Sequence, residues 1–161
     1  MSASHALLYT NEVSADFLSE LDMPVFSEQQ RSGFSEQALK IINERDAQNK
    51  AHPAIAVYRI ATEGSQTRNG GVIKTTTSGI EFKLADGSRA RAAHKGDCVT
   101  YLDGTTAYIE TSAGEPNSYL ALVGSTLSNG DEIINTPQNL AVLIERKGVQ
   151  KAEDFLVAVN K

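Results

Sequence analysis

The hydrophobic residues between positions 54 and 135 occur in short runs that polar turn dipeptides interrupt. Val, Ile, Tyr, Phe and Leu make up these runs, and four of the breaks are Asn69-Gly70, Asp86-Gly87, Asp103-Gly104 and Asn129-Gly130. Both central residues of a type I′ turn have φ > 0, which glycine adopts without strain and Asn or Asp tolerates. The pattern therefore predicts a mainly β region built of tight hairpins.

Three segments of this region have the pattern of strands. The segment 80–84 alternates strictly, with Ile80, Phe82 and Leu84 on one face and two charged residues on the other. This pattern indicates a strand with one solvent-exposed face. The segments 54–58 and 119–123 are nearly continuous apolar runs. Such runs are typical of strands that are covered on both faces.

The N-terminal segment differs, because Ser, Glu and Gln are frequent in it and the hairpin dipeptides are missing. Ser14 is placed to cap a helix that ends at Leu21, before Pro24. Ser35 is placed to cap a second helix, with Phe34 and Leu39 as a hydrophobic staple. The buried stripe predicted for this helix consists of Ala38, Leu39 and Ile42.

The expected boundaries follow from prolines and composition. His52-Pro53 ends the helical part, because the residue before a proline is disfavoured in the α region. After residue 135, Thr136-Pro137 could begin a helix, yet Leu140–Ile144 could equally be a buried strand. Residues 151–159 have helical spacing and predict a short C-terminal helix. We therefore expect an N-terminal extension (1–53), a β-domain (54–135) and a C-terminal extension (136–161).

Composition narrows the class of protein. The chain has 161 residues, enough for one core, and a net charge of −5, which argues against binding to a nucleic-acid backbone. No apolar run approaches the ~20 residues that span a bilayer, and the first residues lack the basic and apolar regions of a signal peptide. We expect a soluble protein made in the cytoplasm. The single cysteine, Cys98, allows no internal disulfide.

A segment of the sequence recurs. Residues 61–73 realign without a gap on residues 121–133, with the same Ala, Gly, Ser, Asn, Gly and Ile at matching positions. A looser third copy begins at Ala93, continues through Asp103-Gly104 and closes on Ile109. A repeat of this kind indicates one supersecondary unit that is used three times and buries its apolar face against its neighbours.

The central copy resembles a known motif. Arg91-Ala92-Ala93-His94-Lys95-Gly96-Asp97 is similar to the signature of the PAAR-repeat family, with matches at Ala92, Ala93, Gly96 and Asp97 and departures at Arg91 and His94. The protein is therefore identified as PAAR-like, over residues 54–135. The resemblance implies a mainly β, conical, prism-like domain of three pseudo-repeats, here with short helical extensions at both ends.

The resemblance also implies a role and partners. PAAR proteins cap the homotrimeric spike of contractile injection machines, namely phage tails and type VI secretion systems. The resemblance implies a structural protein without enzymatic activity, which binds as one cap per spike trimer. This cap would sharpen the spike for membrane puncture and connect it to effector or tail cargo. The protein would be assembled at the spike tip and touch the target membrane transiently. A stand-alone β-rich adaptor or ligand-binding module is the alternative.

The candidate chemistry is sparse. Members of the family commonly hold zinc or iron near the apex with histidines and a cysteine, but this protein has only His5, His52, His94 and Cys98, and none lies in the first or third copy. We therefore expect no cofactor, with His94 and Cys98 as the remaining metal candidates. His94, Asp97 and Cys98 also leave open a small hydrolase with a thiolate nucleophile. The glycines expected at structural turns are Gly64, Gly70, Gly71, Gly87, Gly96, Gly104, Gly124 and Gly130.

Overall fold

The computed structural model describes residues 7–157, which form a mainly β structure with three small sheets and a few short helices. The helices are α1 (Ala15–Leu21), α2 (Glu28–Arg31) and α3 (Glu36–Ala51), with one 3₁₀ turn at Glu115–Asn117. The strands are β1 (Ala54–Arg59), β2 (Val72–Ile73), β3 (Glu81–Lys83), β4 (Arg89–Arg91), β5 (Cys98–Thr100), β6 (Thr106–Tyr108) and β7 (Val142–Arg146). The sheets pair β1 with β7, β3 with β4, and β2 with β5 and β6.

The protein divides into two compact units. One contains residues 58–143 together with the segments up to residue 11 and from residue 151, and the other contains residues 12–57 and 144–150. We call them the β unit and the helical unit. The domain boundaries predicted after residues 53 and 135 stay a prediction, since compactness does not measure which segments fold independently.

The helical unit has the predicted caps. The Ser14 hydroxyl accepts a hydrogen bond from the Phe17 N–H, and the Ser35 hydroxyl accepts one from the Ala38 N–H. Helix α3 ends at Ala51, directly before His52-Pro53, so the start and the end of this helix were both predicted correctly. None of the helices between residues 7 and 157 is long and apolar enough to cross a bilayer.

The residues predicted as the buried stripe of α3 are less buried than expected. Ala38, Leu39 and Ile42 are only half-buried, and none of the residues of α3 is fully buried. Helix α2 was not predicted, although Ser27 and Gln30 form a capping box at its start. Charged contacts support the helical unit instead: Arg31 pairs with Asp46 of α3.

The hairpin turns contain the predicted glycines in a different turn geometry. Gly70, Gly87, Gly104 and Gly130 have φ between 87° and 91°, whereas the Asn or Asp before each of them does not have a positive φ. In the first turn, the Gly70 N–H donates to the Thr67 carbonyl and the Thr67 N–H donates to the Gly71 carbonyl. These are three-residue loops that end in a glycine bulge, in which only the glycine has a positive φ. The prediction of two-residue type I′ turns is therefore wrong.

Three further sequence expectations need correction. Strand β1 is not covered on both faces, because Ile55 is 47% exposed. Residues 119–123 do not form a regular strand, since Tyr119 has a φ of 57° and only Leu120 and Leu122 make isolated bridges. The predicted C-terminal helix is absent from residues 151–157; its last two predicted positions, 158 and 159, lie outside the described residues.

The ambiguous segment after residue 135 is resolved as strand β7, paired with β1. Residues 136–141 are not helical, and the buried Gln138 side chain organises them. Its amide nitrogen donates to the carbonyls of Ile60 and Ala141, and its amide oxygen accepts the Ala141 N–H. These hydrogen bonds from one fully satisfied side chain replace those that a helix would have supplied.

The core of the β unit is built from small and branched residues of all three recurring segments. Ala61, Ala93 and Ala121 are fully buried, as are Ile73, Ile109 and Ile133. The other members of this cluster are Val99, Ala107 and Leu127, with the half-buried Tyr101 packed against them. The recurrence found in the sequence therefore coincides with the side chains that exclude water.

Candidate functional site

Three alanines lie at the centre of the β unit and are joined by a closed ring of backbone hydrogen bonds. The Ala61 N–H donates to the Ala121 carbonyl at 2.9 Å, the Ala93 N–H donates to Ala61 at 2.9 Å, and the Ala121 N–H donates to Ala93 at 2.8 Å. All three residues have no exposed surface. All three side chains belong to one buried cluster, so a larger side chain at any of these positions would overpack the core.

A second ring of hydrogen bonds surrounds the first. The Glu63 N–H donates to the Arg91 carbonyl, the Lys95 N–H donates to Tyr119, and the Val123 N–H donates to Arg59, at 2.8 to 2.9 Å. Each of these donors is followed by a glycine with φ between 93° and 108°, namely Gly64, Gly96 and Gly124. Glycine adopts this conformation without strain, so these three predicted turn positions are explained.

A tight turn follows each of the three alanines. In each turn, a side-chain oxygen accepts a hydrogen bond from the backbone N–H three residues before it. The Ser65 hydroxyl accepts the Thr62 N–H at 3.0 Å, and the Ser125 hydroxyl accepts the Leu122 N–H at 2.9 Å. In the central segment, Asp97 Oδ2 accepts the His94 N–H at 2.8 Å. Asp97 is therefore a turn residue, and its occurrence beside His94 has a backbone explanation that involves no catalytic chemistry.

The three hairpins that follow these turns pair with one another in a cycle. Within the cycle, Ile73 pairs with Val99, Ile109 bridges to Leu127, and Ile133 bridges to Thr67. Each hairpin is also paired within itself, the middle one through β5 and β6. Every hairpin thus has a hairpin neighbour on both sides, which leaves none of the three with an unpaired long edge.

The turns of the three hairpins meet at one end, which we call the turn end (residues 68–70, 102–104 and 128–130). The Tyr101 hydroxyl donates to Asp131 Oδ2 at 2.5 Å, and Asn129 Nδ2 donates to the Tyr101 oxygen at 3.0 Å. The Asn69 N–H donates to Asp131 Oδ1 at 3.1 Å. One buried carboxylate therefore ties the first and second hairpins to the third.

Gly71 makes room for this arrangement. A Cβ at this position would lie 2.5 Å from Val99 Cγ1 and 2.9 Å from Tyr101 Cε1. Unlike the glycine before it, Gly71 does not have a positive φ, so its requirement is steric and not conformational. The aromatic ring of Tyr101 packs where a side chain at position 71 would otherwise stand.

The contacts at the turn end shift two pKa values. Burial raises the pKa of Tyr101, and its hydrogen bond to the Asp131 carboxylate raises it further. Burial also acts to raise the pKa of Asp131, but hydrogen bonds from Thr67, Tyr101 and the N–H groups of Glu132 and Asn69 outweigh it and lower the pKa below its usual value. The structure therefore favours a charged aspartate that faces a neutral tyrosine.

Beside the turns lies an open depression of about 590 Å³. It is lined by Asn69, Gly70, Tyr101, Leu102, Asp103, Thr105 and Asn129. The Leu102 side chain is fully exposed at its rim, and Asp103 Oδ1 is occupied by the Thr105 N–H and hydroxyl. Amides, hydroxyls and a carboxylate line the depression around one aromatic ring, and the larger part of its lining surface is apolar.

The residues that carry the sequence resemblance are structural. Ala92 and Ala93 are fully buried. Arg91 forms an ion pair with Glu63 at 2.9 Å, and its own N–H donates to the same carboxylate. Burial acts to raise the pKa of Glu63, but these hydrogen bonds and the Arg91 charge outweigh it and lower the pKa. Thr76 also donates its N–H to Glu63, at 3.3 Å.

The candidate metal and nucleophile residues are not drawn into a cluster. Among residues 7–157, no group of three or more His, Cys, Asp or Glu side chains is arranged to hold a metal ion. Cys98 is half-buried, and its Sγ lies 3.7 Å from the Val99 carbonyl oxygen. His5 lies outside the described residues, and His52 belongs to the helical unit, where Nδ1 lies 3.0 Å from the Lys147 carbonyl oxygen.

Sequence reasoning missed the polar contacts between hairpins. Tyr101 and Asp131 are 30 residues apart, and neither belongs to a recognised motif. One difference between the hairpins was visible in the sequence. Tyr101 and Leu127 both lie three residues before a turn glycine, but Tyr101 has an aromatic ring with a hydroxyl and Leu127 is aliphatic. A partly buried hydroxyl requires a hydrogen-bond partner, but only the structure shows that this partner is Asp131.

The comparisons with known proteins add no relative. No protein-family model, curated protein or solved structure matches this protein.

Proposed function

We propose that this protein is a structural spike-tip protein that caps the homotrimeric central spike of a contractile injection machine. The observation that carries the proposal is the closed ring of hydrogen bonds among Ala61, Ala93 and Ala121. The PAAR-like residues Ala92, Ala93, Gly96 and Asp97 lie in or next to this ring. The motif and the ring together favour this function over a general β-domain.

The proposed architecture is a conical, prism-like domain of three pseudo-repeats. Its support is the recurrence of equal contacts: the alanine ring, the second ring, the three glycine turns and the three hairpin pairings. A homotrimer presents the same surface three times around its axis. A single polypeptide with three similar units offers a matching surface three times, which a polypeptide without internal repetition does not.

The polar contacts suit a mechanical task. Hairpins that pair on both sides, and a carboxylate that accepts hydrogen bonds from two other segments, resist the separation of one hairpin from the rest. We propose that the β unit sharpens the spike for membrane puncture and that the N-terminal extension links effector or tail cargo. In this function the protein is not an enzyme, and the whole assembly stands at the tip of a phage tail or a secretion spike.

The proposal is tested by the number of copies of this protein that bind one spike trimer. The protein is co-expressed with the trimeric spike protein encoded nearest to it in the same genome, and the mass of the purified complex is measured by native mass spectrometry. We expect a monomer in isolation and one copy per spike trimer in the complex. An unrelated trimeric coiled-coil protein serves as the control and should not bind. Three copies per trimer, or no complex with the spike protein, would refute the proposal.

A ligand-binding module is the second candidate, and one observation favours it. The depression at the turn end has the volume of small-molecule sites and converging polar groups. Its open form, with the fully exposed Leu102 at the rim, weakens this alternative. Binding of a small molecule at the depression, together with failure to bind the spike trimer, would favour the module over the cap.

A further inference from the structure

Two turns of the β unit contain the same chemically labile dipeptide. Asn69-Gly70 and Asn129-Gly130 both lie at the turn end, and all four residues are exposed. An asparagine followed by glycine is prone to deamidation, because glycine has no side chain to hinder attack by its own backbone nitrogen on the preceding side chain. The two sites therefore form a natural matched pair within one protein.

The backbones of the two turns are nearly identical. The Gly70 N–H donates to the Thr67 carbonyl at 3.1 Å, and the Gly130 N–H donates to the Leu127 carbonyl at 2.9 Å. The two glycines have φ of 91° and 87°. Because the attacking nitrogen must leave the same hydrogen bond in each turn, the backbone does not distinguish the two sites.

The asparagine side chains differ. Asn129 Oδ1 accepts the Asp131 N–H at 3.0 Å, and Asn129 Nδ2 donates to the Tyr101 oxygen at 3.0 Å. Within residues 7–157, the Asn69 side chain has no hydrogen-bond partner. Only its main-chain N–H is held, by Asp131 Oδ1, and neither the reacting carbon nor the attacking nitrogen takes part in that contact.

We propose that Asn69 is a site of spontaneous deamidation and that Asn129 is protected by its two side-chain hydrogen bonds. The Gly70 nitrogen attacks Cγ of Asn69, a ring N–C bond forms, and the bond between Cγ and Nδ2 of Asn69 breaks. The proton from the Gly70 nitrogen leaves with the amide nitrogen as ammonia. Water then adds to one of the two carbonyls of the cyclic imide and opens it to aspartate or isoaspartate.

The modification changes the turn end in two ways. Either product adds a carboxylate beside the charged Asp131, and isoaspartate also inserts the Asn69 Cβ into the main chain of a three-residue loop. The lengthened backbone removes the Asn69 N–H from its position against Asp131 Oδ1. As the protein ages, the turn end therefore loses the hydrogen bond between the Asn69 N–H and Asp131, whereas the Thr67–Ile133 bridge and the alanine ring are untouched.

The experiment follows both sites in the same sample. The full-length protein is incubated at mildly alkaline pH, and peptide mapping by mass spectrometry measures aspartate and isoaspartate at positions 69 and 129. We expect Asn69 to react about tenfold faster or more, as two hydrogen bonds would require. In urea-unfolded protein the two rates should become similar, which serves as the internal control. Equal rates in the folded protein, or a faster reaction at Asn129, would overturn the proposal.

Two variants test the cause. Tyr101→Phe removes the acceptor of Asn129 Nδ2 and should raise the rate at Asn129 while that at Asn69 changes little. An unchanged rate at Asn129 in this variant would contradict protection by that hydrogen bond. Asn69→Ser cannot deamidate at this position, so after equal incubation it should keep its melting temperature while that of the wild type falls. If both melting temperatures fell equally, the proposed loss of the hydrogen bond from the Asn69 N–H to Asp131 would be disproved.

Discussion

The Tyr101 hydroxyl donates a 2.5 Å hydrogen bond to Asp131 Oδ2, and this contact joins the second hairpin of the β unit to the third. Asp131 is 2% exposed, and it also accepts the Asn69 N–H from the first hairpin. A buried carboxylate without such donors would be strongly unfavourable. The pair therefore decides how the three turns are held at one end.

Replacement of Tyr101 by phenylalanine should lower the free energy of unfolding by roughly 1–3 kcal/mol, because it leaves a buried carboxylate oxygen without its donor. The change is measured by urea denaturation. Tyr108→Phe is the matched control: Tyr108 is 57% exposed, and its loss of a hydroxyl should cost less than about 0.5 kcal/mol. Equal effects of the two substitutions would show that the hydroxyl of Tyr101 is not special.

The stability of the protein should fall with acid in a way that depends on Asp131. Its pKa in the folded protein lies below the unfolded value of about 3.9, so its contribution is complete above that pH and is lost as the pH falls through the folded pKa. The difference in free energy of unfolding between wild type and Asp131→Asn should therefore shrink as the pH falls below about 4. A constant difference across the acid range would contradict the lowered pKa.

Exchange of Asp97 for serine should be tolerated. The hydroxyls of Ser65 and Ser125 make the same contact in the other two segments, so a serine at position 97 can accept the His94 N–H. We expect a loss below about 1 kcal/mol for Asp97→Ser and roughly 1–3 kcal/mol for Asp97→Ala, which lacks an acceptor. Thermal and urea unfolding give the comparison. A serine variant as unstable as the alanine variant would mean that the three turns are not equivalent.

Alanine at Gly70 and at Gly130 should destabilise the protein by about 1–2 kcal/mol each, because a Cβ is unfavourable at the positive φ of these residues. A Cβ at either position meets no atom within 4 Å, so the cost is conformational. Gly79→Ala is the control, since its Cβ also meets no atom within 4 Å and its φ is outside the left-handed region. Unfolding curves that do not separate Gly70→Ala from Gly79→Ala would contradict the turn geometry.

The sequence by itself determined the local features of the fold. Ser14, Ser35 and Pro53 predicted helix ends, because caps and prolines act within a few residues of their own position. Glycines were expected at the turns because glycine tolerates a positive φ without strain, and of the eight expected positions only Gly71 lacks a positive φ. The alignment of Ala61, Ala93 and Ala121 was visible in the sequence, and the structure shows that all three are fully buried.

Only the tertiary structure determined which contacts the three segments make with one another. The ring of alanine hydrogen bonds and the Tyr101–Asp131 contact depend on how segments about 30 to 60 residues apart approach one another. Leu140–Ile144 could not be assigned from its own pattern, because short apolar runs fit a buried helix or strand equally. Pairing with β1 makes residues 142–144 part of strand β7, whereas Leu140 and Ala141 precede the strand. Hydrogen bonds between distant segments are satisfied by geometry, and a local pattern contains no information on which distant group is the partner.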